Sequence, residues 1–254
     1  MNDTNNKIKN IYLIILTVLT VFCVLFGLLY HVSHWFSEYI FDDFFHFSNE
    51  ENTTVDEELP EFDKIVIEAK FGDLEISYGD GYAVQMEYPS KYMPDCSVED
   101  NTLHITQNPS LKLSWNNHWS SDITLVIPRG VTLQSADIKM DLGNIELNEI
   151  AVETLSISAD MGNVELDDCT IQTCTIEADM GNVELSDCTV ENGTYDADMG
   201  NIGLEGNFVQ ITAECNMGAI TVECPETKDT RFHLECDMGD IEVNGTSYGS
   251  KYIR

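Results

Sequence analysis

Basic residues are scarce in this sequence of 254 residues. Lys and Arg together number 12 against 45 Asp and Glu, which gives a formal net charge of −33 at pH 7. Between Met140 and Thr227 there is no Lys, Arg or His at all. This shortage excludes a nucleic-acid-binding protein, because phosphates are bound by Lys and Arg, and it argues against direct adsorption to anionic lipid. The negative charge either keeps neighbouring molecules apart or attracts cations and cationic peptides.

Recognisable catalytic and zinc-binding motifs are also missing. Beyond residue 50 the histidines are His104, His118 and His233, and none belongs to a Ser/His/Asp or Cys/His pattern. No C-x-x-C pair is present, which leaves zinc with little support. Parallel β-helix polysaccharide lyases use basic residues in a groove, and the acidic repeats of this chain have none. The sequence therefore predicts that the protein is not an enzyme, with a glycan-active β-helix enzyme as the weakest alternative.

The N-terminal region contains one long apolar run. Residues 11–30 carry no charge, and the run is as long as the ~20 residues that a helix needs to cross ~30 Å of hydrocarbon. Lys7 and Lys9 precede it, and the next Lys or Arg is Lys64. The positive-inside rule therefore places residues 1–10 in the cytoplasm and the C-terminal domain outside the cell membrane. We expect an uncleaved signal anchor, since no small-x-small cleavage site follows the run.

Two segments join this predicted transmembrane helix to the rest of the chain. Residues 31–47 are rich in aromatics with an apolar stripe at helical spacing, so the helix is expected to extend to about residue 47. The stripe is typical of a membrane interface, and self-association through this aromatic helix is the alternative. Residues 48–61 are acidic and lack aromatics, which predicts a flexible tether.

A short motif, [DN]-[LM]-G-x-[IV], recurs six times in the C-terminal half. Its glycines are spaced 19 residues apart, with one interval of 18 and one of 21: Gly143, Gly162, Gly181, Gly200, Gly218 and Gly239. Such regular self-similarity indicates a solenoid, because one repeat cannot bury its apolar face alone. Polar and apolar residues alternate on both sides of each glycine, which indicates strands.

The predicted fold class is all-β: a parallel β-solenoid with two strands per ~19-residue coil, regular in residues 131–254 and less regular in 62–130. Stacking at ~4.8 Å would align equivalent residues as ladders. Two ladders are expected in the core: Ile145, Val164, Val183, Ile202, Ile220 and Ile241, and Leu147, Leu166, Leu185, Leu204, Val222 and Val243. A third is expected to pack inside a corner: Leu142, Met161, Met180, Met199, Met217 and Met238.

The segment Asp122 to Leu133, DITLVIPRGVTL, followed by the glycine turns, resembles a bacterial family of β-strand repeats that carries an adhesin label. That family is a domain of unknown function related to toastrack-type domains, and the resemblance covers roughly residues 61–245. It implies a membrane-tethered or cell-surface β-solenoid with an envelope-stress or surface role. It supplies no catalytic residues.

Two rows of carboxylates are the main candidates for a functional site. One row shares a turn position, and the other faces outward from the next strand: Asp141, Asp160, Asp179, Asp198 and Asp237, with Asn216 in the fifth repeat, and Glu146, Glu165, Glu184 and Glu242. Stacked carboxylates repel by about 1 kcal/mol per pair even in water. The Asp row is expected to cap turn amides, with calcium binding as the alternative. The Glu row is expected to be a solvated face available for interaction.

Tryptophan and cysteine provide two further groups. Trp115 and Trp119 lie on a predicted loop, where they would contact a ligand or sugar or cover the open end of the solenoid. The cysteines of the repeats occupy inward positions and are expected to be buried free thiols. The ladder pairs Cys169–Cys188 and Cys215–Cys236 would nevertheless be close enough for disulfides.

The sequence as a whole predicts a non-enzymatic, membrane-anchored cell-surface scaffold or interaction domain. An accessory or sensor role in the bacterial envelope-stress response is the specific expectation. The alternative is a calcium-dependent, adhesin-like surface module. No cofactor other than calcium is suggested by the residues.

Overall fold

The computed structural model describes residues 52–108 and 121–254. Within these ranges the secondary structure is β, apart from one 3-10 turn at Ser90–Tyr92. The strands are β1 (Asn52–Glu58), β2 (Lys64–Ala69), β3 (Asp73–Gly79), β4 (Ala83–Pro89), β5 (Asp95–Glu99), β6 (Thr102–Thr106), β7 (Asp122–Pro128), β8 (Thr132–Leu142), β9 (Ile145–Asn148), β10 (Ala151–Met161), β11 (Val164–Asp167), β12 (Thr170–Met180), β13 (Val183–Met199), β14 (Ile202–Met217), β15 (Ile220–Glu223), β16 (Arg231–Met238), β17 (Ile241–Val243), β18 (Thr246–Gly249) and β19 (Lys251–Ile253).

Part of the predicted organisation lies outside the described residues. This applies to the transmembrane run 11–30, its extension to about residue 47, and Trp115 and Trp119. The described part of the chain includes no helix with the length and apolar character needed to span a bilayer.

Residues 132–243 form a parallel solenoid of six coils with two strands per coil, as the repeat spacing predicts. Strand β10 pairs in parallel with β8 on one side and β12 on the other, and β11 pairs likewise with β9 and β13. Val164 lies between Ile145 and Val183, so the register is the 19-residue repeat itself. Both predicted apolar ladders are buried, and burial of these aliphatic side chains is the main stabilising contribution to the stack.

The less regular segment 62–130 belongs to the same solenoid, but its coils are stacked out of chain order. Strand β2 lies between β6 and β8, and β3 lies between β7 and β9. Strands β2 and β3 therefore form an inner coil, and the later strands β6 and β7 form the outer coil. The chain then passes back over the inner coil to begin β8. The return uses Pro128 to Val131: the Arg129 amide donates to the Gly79 carbonyl, and the Tyr78 hydroxyl donates to the Val131 carbonyl at 2.6 Å.

Antiparallel strands cover both ends of the parallel stack. At one end β4 pairs with β7 and β1 pairs with β4; at the other, β18 and β19 pair with β17 and β16. The predicted tether at 48–61 is therefore wrong for residues 52–58, which form the exposed edge strand β1. Its acidic composition suits an edge, because charged side chains discourage pairing with a further strand.

The glycine corner determines how closely the coils approach. Gly162 has φ 144°, a conformation that disfavours a side chain, and a Cβ built there would lie under 3.0 Å from the carbonyl oxygen of Gly143. Beside the glycines, an asparagine ladder bonds one coil to the next. The amide of Asn163 donates to the Asn144 side-chain oxygen at 3.0 Å, and the amide of Asn182 donates to that of Asn163 at 3.0 Å.

The predicted inward orientation of the methionine row is wrong. Met180 and Met199 are 42% and 43% exposed, and Met238 is 64% exposed. Alternation along β10 would direct Met161 inward after the buried Ala159, but the chain turns at Gly162 and the corner backbone itself closes the core there. The row therefore lies on the outer rim of the solenoid.

Replacing Gly162 by Ala is expected to lower the free energy of unfolding by at least about 3 kcal/mol, because the Cβ meets backbone that cannot move aside. Gly203 is the matched control, since a Cβ there would have only the Glu184 Cγ nearby, at 3.9 Å. Gly203→Ala should change stability by less than about 1 kcal/mol. Both variants are measured as the full chain in detergent, by following the β-strand circular-dichroism signal during thermal unfolding. Equal melting points for the two variants would refute the close stacking.

Candidate interaction surface

The outward side of the long strands carries two adjacent columns of carboxylates. One is the predicted Asp row, aligned from Asp141 to Asp237 through β8, β10, β12, β13, β14 and β16. The other lies two residues earlier on the same strands, where Glu177, Asp196, Glu214 and Glu235 stand in register. We call the following exposed side chains the acidic face: Asp160, Glu177, Asp179, Asp196, Asp198, Glu214 and Asp237.

Sequence reasoning missed the second column. Its members are three Glu and one Asp at spacings of 19, 18 and 21 residues, so a search for identical residues at the repeat spacing does not detect the column as a whole. The detectable signal was the position: each lies two residues before an Asp or Asn of the first column. The two columns together make the acidic face a two-dimensional array instead of a single row.

Mutual repulsion and partial burial act together on this face. Burial raises the pKa of Asp196, and the neighbouring Glu214, Asp198 and Glu177 raise it further. The pKa of Asp160 is also raised, first by burial and then by Asp141 and Asp179. Asn216 relieves the repulsion locally, since its side-chain amide donates to the Asp198 carboxylate at 2.5 Å.

Basic partners are confined to the two ends of the columns. Lys70 pairs with Asp141 at 2.8 Å at one end, and Lys251 and His233 contact Glu235 at the other. Within the described ranges, none of the carboxylates of the acidic face forms a salt bridge. The central coils therefore present uncompensated negative charge to solvent.

The five aspartates considered as calcium ligands form a single row across the strands, with one residue per coil. Across residues 52–108 and 121–254, no three His, Cys, Asp or Glu side chains are grouped in a way that could hold a metal ion. The Asp row was expected to cap the backbone amides of the turn, but the side-chain oxygens of the asparagine ladder accept those hydrogen bonds instead. The Asp row is thus left facing solvent on the acidic face.

The predicted Glu row crosses the short strands, with one residue on each strand, and lies on a different side of the coil. Glu146, Glu165 and Glu184 are in register, and the structure adds Glu75 of the inner coil beside Glu146. Gly203 and Thr221 occupy the next two positions, so Glu242 is separated from the others by two coils. This row is exposed, and two residues later the short strands add Asp167, Glu205 and Glu223, so that among the described short strands only β11 carries two outward carboxylates.

The seven cysteines of the described chain are free, and six of them are buried. Burial raises the pKa of Cys174 to about 12, and burial together with Cys236 raises that of Cys215 to about 11. Cys169 and Cys188 share a hydrogen bond that raises the pKa of Cys169 and lowers that of Cys188. These thiols lie in the core, where a substrate has no access.

Comparison with known families gives one match that spans most of the described chain. The profile of the family described as Toastrack DUF4097 matches residues 62–251. This range agrees with the resemblance noted from the DITLVIPRGVTL segment and the glycine turns. Among curated proteins, none matches the chain.

Solved structures with a similar fold include three bacterial proteins. A candidate adhesin from Bacteroides fragilis has a TM-score of 0.52 at 20% identity, covering 77% of this chain and 97% of that one. A candidate cell adhesion protein from Clostridium sporogenes has a TM-score of 0.49 at 15% identity, covering 69% and 100%. A candidate lipid-binding protein from Parabacteroides distasonis has a TM-score of 0.43 at 14% identity, covering 78% and 96%. At these identities the likeness to the first supports the fold alone.

The raised pKa values of Asp196 and Asp160 predict an unusual pH dependence of stability. A carboxyl whose folded pKa lies above its unfolded value stabilises the fold below the unfolded pKa, and this contribution is lost as the pH rises through the folded pKa. Acidification from pH 7 toward the raised pKa should therefore increase the free energy of unfolding. Asp196→Asn should raise stability at pH 7 by up to about 1 kcal/mol and flatten this dependence.

Glu235→Gln is the opposite control. Hydrogen bonds from Lys251 and His233 lower the pKa of Glu235, so its stabilising contribution is present at high pH and is lost on acidification. Removing it should steepen the gain in stability that acidification produces. The contribution of Glu235 is lost below its ordinary pKa of 4.5, so melting curves from pH 3 to 8 for both variants check the signs. Parallel profiles would contradict the assignment of repulsion to the acidic face.

Proposed function

The chain belongs to the Toastrack DUF4097 family, and we propose that it is a non-enzymatic, membrane-anchored surface scaffold that binds a basic partner through its acidic face. The observation that carries this proposal is the two-column array of carboxylates without basic partners on the central coils. A surface of one sign steers oppositely charged partners toward it and rejects others.

The form of the solenoid supports a binding role. Its interior is filled by stacked aliphatic side chains, and this leaves binding to the outer surfaces. The acidic face is the denser charged array, because β12, the long part of β13 and β16 each carry an outward carboxylate in both columns, whereas among the short strands of the described coils only β11 carries two. A partner with closely spaced basic residues would therefore be attracted more strongly to the acidic face than to the Glu row.

Membrane attachment is the second part of the proposal. The uncharged run 11–30, with Lys7 and Lys9 before it, supports an N-terminus in the cytoplasm and a solenoid outside the cell membrane. A tethered acidic scaffold in that place would act as an accessory or sensor in the envelope-stress response. The array would then couple a basic envelope component to the membrane.

Site-specific crosslinking in intact cells tests the interaction. A photo-reactive amino acid is placed at Thr194, exposed on the acidic face, or at Thr221, exposed on a short strand in the Glu row. We expect a discrete adduct from position 194 and none from 221. The adduct should fall at least tenfold in the background Asp196→Asn/Glu214→Gln, because attraction to the partner is lost.

The matched control neutralises two carboxylates elsewhere. Glu165→Gln/Glu184→Gln removes the same charge from the Glu row and should leave the adduct at position 194 unchanged. Induction of an envelope-stress reporter is measured in the same strains, and the acidic-face variant alone should behave like a deletion. Equal adducts from both positions, or equal effects of the two double variants, would overturn the proposal.

A calcium-dependent adhesin-like module makes a different prediction. The single-file Asp row should respond to cations by screening alone, so Ca²⁺ and Mg²⁺ at matched ionic strength should raise the melting point of the full chain equally, within about 1 °C. A site that binds only the folded state would instead produce a Ca²⁺-specific increase that grows with concentration. Such an increase, abolished by Asp179→Asn, would replace the scaffold proposal with the calcium module.

A further inference from the structure

The rim of the solenoid carries a ladder of thioethers, half-buried at Met161 and exposed at the other four positions. Five of the nine methionines of the chain lie in register along it. We call these the methionine ladder: Met161, Met180, Met199, Met217 and Met238. The chain also has fully buried methionines, Met86 and Met140, each 2% exposed. Core packing therefore accounts for those two and not for the ladder.

The central part of the ladder lines a shallow groove beside the acidic face. The groove has a volume of about 400 Å³ and is bounded by Met180, Met199 and Met217 on one side and by Asp179, Asp198 and Asn216 on the other. Sulfur donors and carboxylates thus share one solvent-accessible space. The side-chain nitrogen of Asn216 donates to Asp198, and the three thioethers are the soft donors of the groove.

The spacing of the ladder suits a soft metal ion. Equivalent sulfur atoms on adjacent strands in the same rotamer lie ~4.8 Å apart. An ion midway between two of them would be ~2.4 Å from each, a distance comparable with the ~2.3 Å of a zinc–thiolate bond. Thioethers are soft ligands that select Cu(I) among biological ions. Neutral sulfur leaves the charge of such an ion uncompensated, and the adjacent aspartates provide the compensation.

We propose that the methionine ladder is a binding site for a soft monovalent metal ion, Cu(I) or its analogue Ag(I), held between the thioethers of neighbouring coils at Met180, Met199 and Met217. The ladder offers successive sites, since each adjacent pair repeats the same geometry. The donors of this site are sulfur atoms on the rim, and its charge-compensating residues Asp179 and Asp198 belong to the acidic face, so the metal site adjoins the partner surface.

A contact stripe for an apolar partner is the competing explanation, and leucine distinguishes the two. Leu142 occupies the same ladder one coil earlier and is 41% exposed, so the rim tolerates leucine without a change in fold. Leucine preserves apolar contact but has no soft donor. Met180→Leu/Met199→Leu/Met217→Leu therefore removes the proposed site alone.

The experiment uses the full chain in detergent, labelled with ¹³C at the methionine methyl groups and titrated with silver nitrate in chloride-free buffer. We expect the methyl resonances of the ladder to shift and those of Met86 and Met140 to stay in place. In the triple leucine variant the affinity for silver measured at the remaining ladder resonances should fall at least tenfold. Met86→Leu, a substitution of similar volume in the core, should leave it unchanged.

Two outcomes would overturn the proposal. The ladder resonances could stay in place while the protein takes up silver, which would assign the ion to the buried cysteines. Alternatively, the triple leucine variant could bind silver as tightly as the parent chain, with melting points showing that both are folded. Titration with Ca²⁺ checks the class of ion, and shifts of the same resonances with calcium would also contradict a soft-metal site.

Discussion

Close stacking at the glycine corner is the constraint on which the rest of the structure depends. Because a Cβ at Gly162 would collide with the carbonyl of Gly143, the coils can approach at sheet spacing only when each corner is a glycine. Once the corner fixes the register, each residue of a repeat lies beside the equivalent residue of the next repeat on the adjacent strand. This alignment of equivalent residues produces the aliphatic ladders, the carboxylate columns and the methionine ladder.

The alignment of equivalent residues has opposite consequences in the core and on the surface. Val164 and its equivalents make apolar contacts with one another and stabilise the fold. Asp160 instead has like charges ~4.8 Å away on the adjacent strands, and their repulsion costs free energy. The buried ladders and the asparagine hydrogen bonds offset that cost. Burial is the first cause of the raised pKa of Asp196, and the neighbouring carboxylates of the acidic face raise it further. A surface held in this state by the core beneath it is available to a cationic partner.

The sequence predicted what is local and periodic, and the structure differs where position depends on the whole chain. Val164 could be placed because its alternation and its 19-residue spacing agree. Met161 could not, because alternation ignores the turn at Gly162 that closes the core. The second carboxylate column was hidden since Glu177 and Asp196 are equivalent in position but not in type. The place of Glu75 beside Glu146 depends on an out-of-order coil, which no periodicity encodes.

The spacing of the acidic face limits how it can recognise a partner. Carboxylates recur every ~4.8 Å across the strands, whereas alternate side chains of an extended peptide recur about every 6.8 Å. Basic residues of such a peptide therefore cannot pair one to one with a column such as Glu177, Asp196 and Glu214. Attraction would come from the summed electrostatic field of the acidic face. Such a field increases the rate at which the partner encounters the surface more than it determines which partner fits. Selectivity then has to come from a chemically distinct neighbour, and the methionine ladder adjoins this face.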